Sequence, residues 1–400
     1  MMPAWVRQLL ILLPFMCLAG SSTPRQLLPQ DAYIWQRQWT PAVVSALQQS
    51  SDLVRAWRVL AAQSDERGHL RPTAVEWTAL KNNGRPVILV VRIDGQLAQW
   101  DEEVLRDDLR AVLSRWRQNR VPVAGVEIDH DCGTARLSAY ARFLGELRTQ
   151  IEDVAPLSIT ALPAWLSAPD LDAVLAQVDE VVLQVHAVQS PRAGLFDLQL
   201  ARQWVETFAR RSATPFRVAL PTYGSRVSWH QDGSLLAIES EAPLLAGGYA
   251  AVELMAPPQE ESSLLRGLER DPPAHLLGIA WFRLPTDDDS RAWSLATWRA
   301  VIQGKPLRAY IEVLVHNSDT PGMSNLVLIN RGDVDAALPH AVELPSVCTL
   351  ADGINGYTLA HNGERLVLQH LHGGLLRSHH QQVIGWMRCA SDQGEIRVQP

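Results

Sequence analysis

Three carboxylates are the most reactive side chains that the sequence places together. The segment 123–131 is mostly apolar, and its acids alternate with other residues: Glu127, Asp129 and Asp131. Because successive side chains of a β-strand point to opposite faces, a strand here would carry all three on one face. Carboxylates about 6–7 Å apart along a strand repel each other, which raises the pKa of at least one of them. A carboxyl group kept protonated in this way can act as a general acid.

Polar and aromatic side chains also lie at the ends of other strand-like runs. They follow or end the third, sixth, seventh and eighth runs: Arg92, Gln184, His186, Tyr223, Trp281 and Arg283. In a barrel enzyme the active site lies at the carboxyl ends of the strands, so these residues could meet the acids there. The alternative is a buried ion-pair network in which Arg92 or Arg283 neutralises the carboxylates.

The elements that would position these residues are eight strand-like runs alternating with helix-like stretches. The runs are residues 32–39, 53–61, 86–93, 123–129, 157–162, 180–188, 216–221 and 277–284. Alternating strands and helices form a parallel sheet, and eight such units predict an α/β fold of the TIM type, a (β/α)8 barrel. We assign the barrel to residues 23–305.

Two segments depart from this repeat. The interval between the seventh and eighth runs is too long for one loop and helix, and it predicts an insertion at about 226–275 with a hairpin at 229–239 and a helix at 260–269. From residue 306 to residue 400 the helical pattern gives way to strands separated by Gly, Asn and Asp turns. This pattern predicts a C-terminal, all-β, sandwich-like domain.

The amino terminus is typical of a secretory signal peptide. Residues 1–22 contain one basic residue, a short apolar run and a small-residue end, and the run is too short to span a bilayer comfortably. We therefore predict export to the periplasm, the cell envelope or the medium, with no transmembrane domain. A lipid anchor at Cys17 is a weaker alternative, because the preceding residues match a lipidation motif poorly.

Export permits disulfides. Cys348 and Cys389 each lie beside a strand-like run near the C-terminus, and we predict that they pair. Cys132 directly follows the acidic segment. It is interpreted as a small buried hydrophobic residue rather than a reactive thiol.

Composition narrows the class of ligand. The formal charge is −7, from 43 acidic and 36 basic residues, and this balance excludes a nucleic-acid partner, which needs a clustered cationic surface. The chain has 14 Trp against six Tyr and six Phe. Tryptophan suits stacking on sugar rings and also suits filling a core. The candidate stacking residues are Trp281, Trp35 and Trp165.

Several motifs resemble those of the family 18 glycoside hydrolases, the chitinases. Residues 125–131 are similar to that family's fourth-strand motif Gly-x-Asp-x-Asp-x-Glu, and residues 219–226 resemble its seventh-strand segment Pro-x-Tyr-Gly-Arg. Gln184 to His186 resemble its sixth-strand Gln-x-Tyr run, and Trp281 matches its eighth-strand Trp. Asp131 replaces the family's Glu, Glu127 replaces an Asp, and His186 replaces a Tyr.

The resemblance implies a role for each acid. Asp131 would protonate the glycosidic oxygen, Asp129 would orient it or stabilise an oxazolinium ion formed from an N-acetyl group, and Glu127 would tune both. Residues 33–39 and 330–333 also resemble an uncharacterised bacterial family known only as domain of unknown function 3142. That second resemblance implies no reaction.

These observations predict an exported, glycoside-hydrolase-like protein that acts on a polysaccharide by carboxylate acid catalysis. The three tryptophans named above would stack on sugar rings. Tyr223, Arg92 and Arg283 would contact hydroxyl or carboxylate groups of the ligand. The alternative is a catalytically inert envelope protein that binds glycan or another protein. A metal site of His130, Asp131 and His186 is disfavoured, because alternation turns His130 away from the acids, and no cofactor is expected.

Overall fold

A computed structural model describes residues 27–97, 101–151, 155–186, 194–230, 232, 234–239, 250–318, 320–363, 365–370, 374–390 and 394–399. The predicted signal peptide, with Cys17, lies outside these residues. The first part contains β1 (Gln30–Ile34), α1 (Pro41–Gln49), β2 (Ala56–Ser64), β3 (Leu70–Pro72), α2 (Trp77–Asn83), β4 (Val87–Ile93), α3 (Glu102–Gln118), β5 (Val123–His130), α4 (Leu137–Ile151), β6 (Leu157–Ala161), α5 (Leu171–Leu175), β7 (Glu180–Gln184), α6 (Leu198–Arg211), β8 (Phe216–Pro221), β9 (Gly224–Trp229), β10 (Leu235–Glu239), β11 (Ala250–Met255), α7 (Pro258–Arg270), β12 (Leu276–Phe282) and α8 (Leu295–Gln303).

Eight parallel strands close into a barrel. Strands β1, β2, β4, β5, β6, β7, β8 and β12 are neighbours in the sheet, and β1 pairs with both β2 and β12, which completes the circle. Each of the eight predicted runs overlaps one of these strands. The (β/α)8 prediction is therefore confirmed.

The outer face of the barrel wall is apolar, whereas the inner face combines apolar with buried polar and charged side chains. Strand β4 is a buried run of Val, Ile and Leu that ends in Arg92 and Ile93. Outside the wall, amphipathic helices cover the sheet. Helix α3 shows how their ends are fixed: the Asp101 side chain accepts hydrogen bonds from the first-turn amides, and Arg115 and Arg117 lie in the last turn, where the helix dipole favours positive charge.

The insertion after the seventh barrel strand is present. Strands β9, β10 and β11 form a small antiparallel sheet in the order β10-β9-β11, and α7 follows it. The first of these strands continues from the mouth of the barrel, so the inserted sheet stands beside the carboxyl ends of the barrel strands.

The C-terminal part is all β, as predicted. Its strands are β13 (Ile311–Asn317), β14 (Ser324–Asn330), β15 (Ala336–Ala337), β16 (Ala341–Glu343), β17 (Cys348–Gly353), β18 (Tyr357–Asn362), β19 (Arg365–His370), β20 (Leu375–Leu376), β21 (Gln381–Cys389) and β22 (Arg397–Gln399). Two four-stranded antiparallel sheets, β13-β14-β21-β17 and β18-β19-β16-β22, share one apolar core. The predicted disulfide joins Cys348 to Cys389 between β17 and β21.

No helix among the described residues is long and apolar enough to cross a lipid bilayer.

Candidate functional site

A cavity of about 390 Å³ opens at the carboxyl ends of the barrel strands. Its volume falls within the range of small-molecule sites. It is lined by acids, one arginine of the barrel wall, several aromatic rings and residues of the inserted sheet: Tyr33, Trp35, Arg37, Arg92, Asp129, Asp131, Thr160, Leu162, Gln184, His186, Leu195, Ala219, Tyr223, Ser225, Val227, Leu254 and Phe282. This is where a barrel fold places its ligand.

Two of the three predicted acids lie side by side on the cavity wall, bridged by Arg92. Its Nη1 donates to Asp129 Oδ2 at 2.6 Å and to Asp131 Oδ2 at 2.7 Å. The second oxygen of each acid is also held, Asp129 Oδ1 by the Thr160 hydroxyl at 2.7 Å and Asp131 Oδ1 by the Gln184 amide at 3.2 Å. The two acids are therefore fixed from opposite sides by neutral and charged donors.

The two carboxylates differ in environment. The side chain of Asp129 is 5% exposed, whereas that of Asp131 is 28% exposed. Burial raises the pKa of Asp129, and the charge of Asp131 raises it further, against the opposing effect of Arg92. Two neighbouring carboxyl groups can take separate acid and base roles only when their environments give them different pKa values.

A close backbone approach fixes the position of Asp131. A Cβ atom at Gly95, in the loop after β4, would lie 2.0 Å from the carbonyl oxygen of Asp131. Only a glycine leaves room for the chain to pass, so this residue helps to set where the acid lies.

The third acid, Glu127, lies beneath the cavity and does not line it. It is completely buried and pairs with Arg58, and it accepts hydrogen bonds from the Tyr33 hydroxyl at 2.6 Å and from Ser158 at 3.3 Å. The ion-pair alternative therefore holds for Glu127, with Arg58 as its partner in place of the expected Arg92 or Arg283. Burial raises the pKa of Glu127, and the Arg58 charge and the Tyr33 bond oppose that rise.

A layer of ion pairs closes the barrel below Glu127. Arg58 also pairs with Asp31 and Glu180, and Arg217 Nε lies 3.2 Å and 3.0 Å from the same two acids. Buried charges are stable only when they are paired, and here each buried guanidinium faces two or more carboxylates. This ion-pair layer fills the barrel beneath the cavity, and its charged residues do not line the cavity wall.

Aromatic rings form the pocket floor. Phe282 stacks on His186, with ring centroids 5.7 Å apart and planes inclined by 16°, and it meets Tyr33, Trp35 and Tyr223 edge to face. Aromatic surface of this kind can pack against the apolar face of a ring-shaped ligand. No sequence motif pointed to Phe282 as a pocket residue.

The expected stacking residue Trp281 has to be corrected. It is fully buried outside the barrel wall, 6.0 Å from Trp293 and 6.4 Å from Trp298 between ring centroids. Strand alternation is the reason, because Ala280 and Phe282 point into the barrel and Trp281 points to the helices. The alternation of side chains along β12 was the sequence signal that could have identified Phe282 as the inward-facing aromatic residue.

Two further expected ligand contacts are also buried away from the pocket lining. Trp165 donates to the carbonyl oxygen of Cys132 at 2.8 Å and is 1% exposed. Arg283 is 3% exposed, pairs with Asp289 and lies over the Tyr223 ring, 5.6 Å from its centroid. Arg283 therefore packs against the pocket residue Tyr223 and does not line the pocket itself.

The histidines occupy different sides of the wall. His130 packs against Tyr140 outside the barrel, 5.0 Å away, as alternation predicted, and burial lowers its pKa to about 4. Burial also lowers the pKa of His186 to about 4, so this ring is neutral at pH 7. Its Nδ1 lies 3.3 Å from the Ala219 carbonyl oxygen, which requires the proton on Nδ1 and makes Nε2 an acceptor.

Cys132 is a buried free thiol, and burial raises its pKa to about 11. A thiol that stays protonated is a poor nucleophile. Among the described residues, no group of three or more His, Cys, Asp or Glu side chains is arranged to hold a metal ion.

The closed parallel barrel with its pocket at the carboxyl ends of the strands defines a TIM-barrel protein. The chain belongs to the family described as domain of unknown function DUF3142, whose model matches residues 83–287, just over half of the chain. A second family model, domain of unknown function DUF8456, matches residues 313–390 in the C-terminal part. No curated protein matches the chain.

Solved structures share the barrel. The spore cortex-lytic enzyme SleL of Bacillus cereus is 12% identical over 71% of this chain and 76% of its own, with a TM-score of 0.52. Two chitinases are similar at a lower TM-score of 0.47, that of Chromobacterium violaceum (14% identity, 69% of this chain and 98% of its own) and ChiB of Flavobacterium johnsoniae (12%, 69% and 93%). The SleL match shows a common fold.

Proposed function

We propose that the barrel pocket binds a saccharide and that the Asp129–Asp131 pair hydrolyses one of its glycosidic bonds. The observation that carries the proposal is the pair itself: two adjacent carboxylates of unequal exposure on the wall of a pocket floored by aromatic rings. Glycosidases use two carboxyl groups, or one carboxyl group and the substrate's own N-acetyl group, to break the bond.

In this reaction Asp131 is the acid, because it stands at the acid position of the family 18 motif and its carboxyl group is the more accessible of the two to the glycosidic oxygen. Its proton passes to the glycosidic oxygen as the bond from that oxygen to the anomeric carbon breaks. With an N-acetylated substrate, the acetamido oxygen forms the new bond to the anomeric carbon, and Asp129 stabilises the positive oxazolinium ion. Water then opens this ion and returns a proton to Asp131.

The fold neighbours support the choice of probes. SleL is described as a spore cortex-lytic enzyme, and other similar structures are chitinases. Peptidoglycan fragments and N-acetylglucosamine oligomers are therefore the first saccharides to test, followed by exopolysaccharides and plant glycans.

A second candidate is a catalytically inert barrel that binds glycan or another envelope protein, and the Arg92 bridge favours it. A guanidinium in contact with both carboxylates stabilises their ionised forms, whereas an acid catalyst must hold a proton. In the enzyme, substrate entry has to release Asp131 from Arg92. In the inert protein the bridge persists and the ligand only fills the pocket.

Export of the mature protein is part of the proposal, with residues 1–22 as the signal peptide, 23–305 as the barrel and 306–400 as the sandwich-like domain. The Cys348–Cys389 disulfide is compatible with an oxidising compartment. The test is cell fractionation with N-terminal sequencing. An intact N-terminus on protein in the cytosol would contradict it.

The experiment that tests the function is a glycan panel assayed for binding and for new reducing ends. Asp107→Asn serves as the matched control, because Asp107 is an exposed acid on α3 that does not line the pocket. We expect wild type and this control to bind and cleave the same saccharide. Binding without cleavage would identify the inert candidate, and absence of both would overturn the proposal.

A further inference from the structure

The loop that joins β12 to α8, residues 283–294, is held by the C-terminal domain. The Arg377 guanidinium donates to the carbonyl oxygens of Thr286 and Asp287, each at 3.0 Å, of Ala292 at 3.4 Å, and of Asp289. Two of these oxygens also accept a backbone amide within the loop, Thr286 from Asp289 and Asp289 from Ala292. The planar guanidinium therefore adds to the turns of the loop a fixed contact with the C-terminal domain.

A carboxylate of the same domain holds the other end of this loop. Asp335 is 2% exposed and accepts from the Ser294 amide and hydroxyl, both at 2.7 Å, and from the Ser378 amide at 2.9 Å. Ser294 is the N-cap of α8, and its hydroxyl accepts from the Thr297 amide. A buried carboxylate at a helix N-terminus is also favoured by the helix dipole.

The loop in turn contacts the pocket. Asp289 pairs with Arg283, whose guanidinium lies over the ring of the pocket residue Tyr223. Tyr223 also forms a β-bridge with Ala292, and the Trp293 amide donates to the Thr222 carbonyl oxygen at 2.8 Å. The loop therefore contacts the two residues that join β8 to β9, one of which is the pocket residue Tyr223.

We propose that Arg377 and Asp335 are positioning residues for the pocket, so that ligand binding in the barrel depends on side chains of the C-terminal domain. The inference rests on the proposed saccharide binding, which it deepens. The sandwich-like domain acts through loop 283–294 and Arg283 on Tyr223. It does not itself contact the sugar.

The test compares Arg377→Ala with Arg365→Ala, a matched arginine of the same domain whose partner Glu343 also belongs to that domain. Hydrogen exchange is followed by mass spectrometry for peptides covering 283–294 and 219–227. We expect Arg377→Ala to increase exchange in both peptides and Arg365→Ala to change neither. Arg377→Lys should rescue only in part, because an ammonium cannot serve four carbonyl oxygens at once.

Binding of an N-acetylglucosamine trimer is measured on the same proteins well below their unfolding temperatures. We expect Arg377→Ala to bind about ten-fold more weakly, the equivalent of about one net hydrogen bond, and Arg365→Ala to bind like wild type. If Arg377→Ala does not fold, Arg377→Lys replaces it and should weaken binding by a smaller factor, because an ammonium group keeps only part of the contact with the loop.

Increased exchange that stays within 330–338 and 374–380, or that reaches the loop and leaves 219–227 unchanged, would overturn the inference. Failure of wild type to bind the trimer would count against the proposed function for that saccharide. In that case the exchange data by themselves would still test whether Arg377 positions the loop. Failure of the positioning role and failure of the proposed function can therefore be told apart.

Discussion

The hydroxyl group of Tyr33 donates a 2.6 Å hydrogen bond to Oε1 of Glu127. The bond links a pocket-floor residue to an acid that was expected to take part in catalysis. The other oxygen of Glu127 pairs with Arg58. Glu127 therefore connects Tyr33 of the pocket floor to the buried ion-pair layer and helps to hold that ring in place. Glu127 is thus a support for the site.

Replacing Glu127 by Gln should destabilise the fold strongly. The amide keeps the shape but removes one of the three carboxylates that face Arg58, and the other two, Asp31 and Glu180, are shared with Arg217. Breaking a buried ion pair costs about 3–5 kcal/mol. Denaturant unfolding measures the loss. Glu146→Gln, which breaks an exposed pair with Arg106, is the control and should cost less than about 1 kcal/mol. Equal small losses in both variants would contradict the structural role of Glu127.

Glu261 should make stability depend on pH. It is fully buried on α7, and among the described residues neither carboxyl oxygen has a hydrogen-bond partner. Burial raises its pKa well above the ordinary value, and the charge of Glu260 adds to this. The folded state therefore keeps a proton that the unfolded chain releases above about pH 4.5, and stability is lost as pH rises toward the folded pKa.

Glu261→Gln removes this titration. Relative to wild type, the variant should gain stability from about pH 4.5 upward, by about 1.4 kcal/mol per pH unit until the folded pKa is reached. Chemical unfolding at a series of pH values measures the gain. Glu206→Gln, an exposed acid on α6, should show no such trend. A difference that does not change with pH would refute the prediction.

The two neighbouring aromatic residues of β12 should have separable roles. Phe282→Ala should weaken saccharide binding, because it removes the ring on which the pocket floor is built. Trp281→Ala should instead cost about 3–5 kcal/mol of stability through the cavity it leaves between wall and helices. Calorimetric binding and denaturant unfolding of both variants check this. The reverse assignment of the two effects would be inconsistent with the orientation of β12.

The disulfide should stabilise the C-terminal domain. Cys348 and Cys389 are 41 residues apart in sequence, and closing a loop of that length contributes about 3–4 kcal/mol on the chain-entropy model. The Cys348→Ser, Cys389→Ser double variant should lose stability of that order. Alkylation of both thiols in native, unreduced protein would show that the bond does not form.

The barrel was predictable because its signal is local. Buried β-branched runs such as β4 alternate with amphipathic helices such as α3, and eight such units admit few arrangements. The pairing of Cys348 with Cys389 was predictable in the same way, from two cysteines beside strands. The alternation along β5 likewise predicted that its acids share one face, and Asp129 and Asp131 do lie side by side on the pocket wall.

The environment of each acid was not predictable from β5 alone. That Arg92 joins Asp129 to Asp131, while Arg58 takes Glu127, depends on the stagger between strands, which places side chains of distant segments at one height in the barrel. The loop before α8 shows a second limit. Helix α8 begins only at Leu295, because Asp289 holds Arg283 and Ser294 provides the cap, and neither partner is apparent from the local sequence.

Turnover of Asp131→Asn on the saccharide that wild type cleaves is the sharpest test of hydrolysis by the Asp129–Asp131 pair. The amide keeps the shape of the carboxyl group and loses its transferable proton, so kcat should fall by about 100-fold or more while the Kd of the saccharide stays within about two-fold of wild type. Asp107→Asn should leave both values unchanged. Full activity in Asp131→Asn, or binding by wild type with no cleavage of any saccharide on the panel, would contradict hydrolysis by the Asp129–Asp131 pair.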